Sequence, residues 1–149
     1  MFNAKKVIFL ITLITLAGCS DSDKKMLSVT SCSVDAVNDS GDLIVPIKVN
    51  SNLKLAGWAA DSLSKQAPDT ITINLVSSTG AVSKFVEGKL TVARPDVSKA
   101  LDAPKLASVG FGFSAQLESL ASGIYEIQIL QNFPDRVLFC KSAKSVRID

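Results

Sequence analysis

The sequence carries three cysteines, one tryptophan, fourteen carboxylates and no histidine. Without an imidazole there is no Ser-His-Asp or Cys-His nucleophile, and most zinc and copper sites lose their commonest ligand. Serines are plentiful, but none stands in a GxSxG elbow, and no glycine loop suited to phosphate is present. Asp21 and Asp23 share a DxD spacing but sit in a short polar segment, where they serve as solvating charges. Asp35, Asp39 and Asp42, with Asn38 and Gly41, offer oxygens of the kind calcium takes. They lack the spacing of a calcium loop and read as a polar hairpin. The expectation is a protein that is not an enzyme, with no catalytic residue, no metal and no cofactor.

Aromatic and charged groups in combination point instead to binding. Trp58 lies in Gly57-Trp58-Ala59-Ala60-Asp61, and Arg94 and Asp96 lie in Ala93-Arg94-Pro95-Asp96-Val97. Gly110-Phe111-Gly112-Phe113 and Ser122-Gly123-Ile124-Tyr125 follow. Pro95 restricts Arg94 to extended geometry. Trp58 is expected to fill the core, its ring N–H needing a partner, with Gly57 allowing the chain to pass close beside it. Arg94 is expected to bridge Asp61 or Asp96. The alternative is a ligand site of Trp58, Arg94 and Asp61, a combination that suits a sugar. In this order and spacing the islands resemble small bacterial immunoglobulin-like β-sandwich modules of cell-surface and secreted proteins, sometimes appended to carbohydrate-active enzymes. The resemblance covers about residues 53 to 130 and implies a fold and an envelope setting, not one activity.

The N-terminus has the parts of an export signal. Lys5 and Lys6 precede an apolar run from Val7 to Leu16, and Leu16-Ala17-Gly18-Cys19 closes it. This quartet resembles the bacterial lipobox, which implies that residues 1–18 are removed and that Cys19 carries the lipid. A retained transmembrane helix would need ~20 apolar residues, more than the run supplies. Ser20 after the cysteine resembles the sorting signal for the outer membrane, so a periplasm-facing outer-membrane protein is expected, with retention at the inner membrane as the alternative. Both lysines of the signal leave with it, so the 16 basic residues fall to 14, equal to the 14 acidic ones. A neutral chain without a basic cluster argues against a nucleic-acid partner. With Cys19 lipidated, Cys32 and Cys140 remain in an oxidising compartment, where a disulfide is expected and two free buried thiols are the alternative.

The elements that must position these groups are strands. Residues 19–26 form the lipidated cysteine and a polar tether, and 27–149 the folded domain. Alternating runs cover Leu27–Val37, Leu43–Val49, Leu53–Ala60, Thr70–Val76, Val82–Val92, Phe111–Leu117, Ile124–Leu130 and Val137–Ile148. Pro46 marks an edge or a bulge, and Gly88 a break. Only Asp96 to Leu101 looks helical, with Asp96 placed to cap it. The pattern predicts an all-β fold, a single antiparallel immunoglobulin-like sandwich of seven to eight strands.

The expected function is that of a lipid-anchored, non-catalytic protein-binding module, either an accessory subunit or an immunity or inhibitor protein. The alternative is a carbohydrate- or peptidoglycan-binding module. Two loops are the candidate contact patch: Asn132 to Arg136, with Phe133 and Arg136, and Pro104 to Leu106, with Lys105.

Overall fold

Strict apolar–polar alternation builds most of the strands, and a computed structural model describes them over residues 24–149. The signal segment and Cys19 lie outside the described residues. The strands are β1 Lys25–Ser28, β2 Cys32–Val37, β3 Ile44–Ile47, β4 Asn52–Ala59, β5 Thr70–Ser77 and β6 Val82–Gly88. A helix α1, Pro95–Ala100, and a 3-10 turn, Pro104–Leu106, intervene before β7 Gly110–Gln116, β8 Gly123–Asn132 and β9 Arg136–Ile148.

Two sheets pack face to face as an immunoglobulin-like sandwich. The larger has the order β1-β9-β8-β5-β6, with β3 also on β9; the smaller is β2-β4-β7. β9 is thirteen residues long, so one edge of it takes two short strands in succession. β1 pairs with Arg136 to Phe139 and β3 with Ser145 to Ile148, both parallel. The remaining pairings are antiparallel. Between the sheets, Ile71, Ile73 and Leu75 of β5 and Ile127 and Ile129 of β8 meet Leu53 and Leu55 of β4 and Phe111 of β7, all fully buried. A second, smaller core of Ala60, Val97, Ala103, Leu106 and Val109 lies where α1 and the 3-10 turn cover one end.

Two expectations are corrected here. There are nine strands rather than seven or eight, because the run Leu27–Val37 is two strands: β1 joins the larger sheet and β2 the smaller. The first strand starts at Lys25. Asp96 does not cap α1. Arg94 occupies the cap position, no side chain there caps a helix N–H, and Pro95 fills the first helical position, where its missing N–H costs nothing. Pro46 does sit on a short edge strand, with its side away from β9 free.

Cys32 of β2 and Cys140 of β9 are joined by a disulfide that ties the two sheets together across 108 residues. Gly57 is required where β4 runs beside β2: a Cβ there would collide with the Ser33 carbonyl and meet the Phe111 ring at 2.8 Å.

Candidate functional site

Along β4, Leu53, Leu55, Gly57 and Ala59 point inward, so the alternate residues Lys54, Ala56 and Trp58 face out. Trp58 is therefore not in the core between the sheets. It stands half-buried on the outer face of the smaller sheet, packed against the second core formed with α1. The glycine at position 110, directly opposite Trp58 on β7, leaves room for Arg94, whose Cγ would lie 2.8 Å from a Cβ placed there.

Arg94 holds two carboxylates. Its Nε and Nη2 donate to Asp96 at 2.9 and 2.7 Å, a fork that matches the carboxylate plane, and Nη1 donates to Asp35 at 2.6 Å. The hydrogen bonds from Arg94 hold the Asp96 carboxyl down at about 2, while Asp96 and then Asp35 raise the guanidinium further above its ordinary range. Asp35 projects from the exposed face of β2, and its place opposite Arg94 was not foreseen. The alternation of β2 marked Asp35 as outward-facing, but nothing local linked it to a residue 59 positions away. Beside this cluster the outer face of the smaller sheet is a shallow depression floored by Ala56 and Gly112 and edged by Lys54, Asp39 and Ser114.

Asp61 is not part of that cluster, so a Trp58/Arg94/Asp61 site does not form. It is buried at the end of the sandwich and pairs with Arg136 instead, Nη2 to Oδ2 at 2.8 Å. Its carboxylate also accepts the N–H groups of Leu63 and Ser64 at 3.0 and 3.2 Å and the Ser64 hydroxyl at 2.7 Å. This is a side-chain-nucleated turn, closed by Asp61 and Gln66 exchanging backbone hydrogen bonds. Burial opposes the charge on Asp61. The hydrogen bonds from Ser64 and Arg136, then those from the backbone, outweigh it and hold the carboxyl below its ordinary value.

The loop patch is also corrected. Phe133 is buried, and its ring lies 4.3 Å beneath the Arg136 guanidinium, so it anchors Arg136 rather than contacting a partner. In Pro104 to Leu106, Leu106 is fully buried in the second core and only Pro104 and Lys105 are exposed. The apolar surface lies elsewhere. On the outer face of the larger sheet, register sets Ile44 and Val82 in one cross-strand row with Ser145, Glu126 and Val76, and sets Pro46 beside Arg147 and Ile124. A row farther along joins Phe139, Leu130 and Thr72. Ile44, Ile124 and Val82 are among the most exposed large apolar residues, and Lys141, opposite Gln128 and paired to Glu126 of the first row, lies between the two rows. A solvated sheet face ordinarily carries polar residues at such positions, which is the signal the sequence offered at Ile44 and Ile124.

Among the described residues no cluster of side chains suits a metal ion. In the hairpin of Asp39 and Asp42 it is the Lys144 ammonium that meets backbone carbonyls, those of Gly41 and Asp42. No family model matches the chain, and no curated protein matches it. Among solved structures it is similar to an AA10 lytic polysaccharide monooxygenase (LPMO) from Streptomyces lividans, at 9% sequence identity and a TM-score of 0.42, over 74% of this chain and 62% of that one. The chain thus spans less than two thirds of that protein's length.

Proposed function

We propose that this is a lipid-anchored bacterial envelope protein whose sandwich is a non-catalytic docking module for another protein, as an accessory subunit or as an immunity or inhibitor protein. The observation that carries the reading is the character of the exposed apolar surface. No large apolar side chain in that group is aromatic, and among the described residues no aromatic ring is more than partly exposed. Sugars are held by stacking on open aromatic planes, whereas proteins dock on apolar patches rimmed by polar groups. Ile44, Ile124 and Val82, with Glu126, Arg147 and Lys84 around them, fit the second description.

The carbohydrate- or peptidoglycan-binding reading rests on one observation of its own. Trp58 faces outward beside Arg94 and Asp35, on the same outer sheet face as a shallow depression. The two readings separate on substitutions on the outer faces of the two sheets. Crosslinking of the anchored protein in its own membrane, followed by mass spectrometry, is expected to recover a protein partner that Ile124→Glu abolishes and Val92→Glu, on another surface, does not. Loss of retention on a glycan array with Arg94→Ala, together with partner recovery indifferent to Ile124→Glu, would replace the protein reading with the glycan one.

A further inference from the structure

Leu63 is the most exposed large apolar residue described, at 92%, yet it sits on one of the best-tied loops. Its own N–H is bound by Asp61, Ser64 is held through both its N–H and its hydroxyl, and Arg136 reaches Asp61, Ser64 and Gln66 together. Lys65 takes a left-handed φ of 54° and donates to the Asp102 carbonyl at 2.7 Å. An apolar side chain on a loose loop can fold back onto the protein, but one on a turn this heavily bonded is presented outward.

The chain leaves the domain at the same end. Lys24 donates to the Phe133 carbonyl at 3.2 Å, and Phe133 lies under the Arg136 that holds the Leu63 turn. If Cys19 carries the lipid, five peptide steps separate it from Lys24, which reach at most about 17 Å fully extended. The end of the sandwich that bears Leu63 is then confined to the headgroup region.

We propose that this end is the membrane-facing one and that Leu63 rests in the phospholipid surface, with Lys24, Lys25, Lys65 and Lys105 around it keeping their ammonium groups in the headgroup layer. The inference rests on the lipid-anchor reading. The same end also carries Asp69, Asp102 and Asp135, with Asp102 paired to Lys65 and Asp135 to Arg136. The contact is therefore imposed by the short tether and by the apolar side chain, not by net charge. Burying one leucine side chain is too little to bind a membrane alone but enough to orient a domain that the tether already holds there. The strands then rise away from the bilayer. Val82 pairs with Val76, six residues along β5 from Thr70, or roughly 20 Å farther from the surface.

The test uses the full-length protein, processed in a bacterial host, in nanodiscs of phosphatidylethanolamine and phosphatidylglycerol doped with a gadolinium-chelating lipid. Methyl NMR is expected to lose the Leu63 resonances while those of Val82 keep their intensity, at low and at high salt alike. Acyl chains on Cys19 by intact mass, with Leu63 and Val82 attenuated equally or Val82 lost first, would overturn the orientation and leave the anchor standing. A mass without acyl chains would overturn both.

Discussion

Removing the Asp61 charge gives the sharpest test of how the sandwich end is held. Asp61→Asn keeps one oxygen for the Leu63 and Ser64 N–H groups, but replaces Oδ2 with a donor that faces the Ser64 hydroxyl and Arg136 Nη2. Hydrogen bonds to a charged group contribute about 1.5–3 kcal/mol net, and stranding a partner in a buried site adds its desolvation cost. The Asp61 side chain is 9% exposed and Arg136 20%, so solvent screening discounts little of this. The expected loss is about 3 kcal/mol, or roughly 10 °C in Tm for a domain of this size. Denaturant unfolding of the wild type, Asp61→Asn, Arg136→Gln and the double variant separates the pair from the stacking of Arg136 on Phe133, with an expected coupling of about 1–2 kcal/mol. The pH dependence has a definite sign. Because the folded carboxyl titrates below its ordinary value, its contribution is complete above about pH 4. It is lost as the pH falls through the lowered folded value. The gap between wild type and Asp61→Asn should therefore be constant above pH 4 and close below it. A loss under about 1 kcal/mol, or a gap that widens in acid, would mean that the Asp61–Gln66 backbone pair holds the turn and the carboxylate does not.

Reducing the Cys32–Cys140 disulfide frees the unfolded chain from a 108-residue closure, and Cys32→Ala with Cys140→Ala is expected to cost about 4–5 kcal/mol by chain entropy; denaturant midpoints with and without reductant check it. Gly57→Ala should cost about 3 kcal/mol or more, because the new methyl collides with the Ser33 backbone in the middle of the β2–β4 pairing; a folded variant of unchanged midpoint would show that β2 can move aside. Gln131→Met should be neutral or stabilising by about 1 kcal/mol. Gln131 is fully buried with its Oε1 unpartnered, and the Ser31 carbonyl it serves also accepts from Ala60 N–H. A clear loss of stability there would point to a water held between Gln131 and its surroundings.

Alternation located the strands well because it reports which face of a strand is wet, and both outer faces of a two-layer sandwich are. It could not report a change of sheet. The period runs on from Leu27 to Val37 while the chain leaves the edge of β9 and joins β4, so two strands read as one. Trp58 failed for the opposite reason. Its alternation with Leu53 and Leu55 places it outside, whereas a large aromatic ring ordinarily fills a core, and the inward positions beside it are the small Gly57 and Ala59. Gly57 is small because the Ser33 backbone and the Phe111 ring fill the space beside it. The pairings Arg94–Asp35 and Asp61–Arg136 span 59 and 75 residues. No local spacing encodes such contacts; they follow from which loops the two sheets bring to one end. Phe133 misled because Asn-Phe-Pro-Asp has the composition of an exposed turn, whereas the ring serves as the floor for Arg136.

The membrane-facing end and the apolar sheet face constrain one another. With Leu63 down, β5, β8 and β9 stand away from the bilayer, and the row of Ile44, Ser145, Glu126, Val76 and Val82 lies near their far ends. The row of Phe139, Leu130 and Thr72 lies about four residues along β8 and β5 closer to the membrane, roughly 14 Å at the strand rise. A partner contacting only the far row could be soluble. One spanning both rows would lie alongside the strands and come down toward the same bilayer. Leu130 of the near row discriminates: it is only partly buried on an outer sheet face, where a polar residue costs the fold little. Leu130→Gln should therefore leave a far-row partner's affinity unchanged and weaken one that spans both rows. Partner binding measured on the soluble and on the anchored protein, with and without Leu130→Gln, distinguishes the two arrangements. Weakening confined to Ile44 and Val82 variants would place the contact at the distal end.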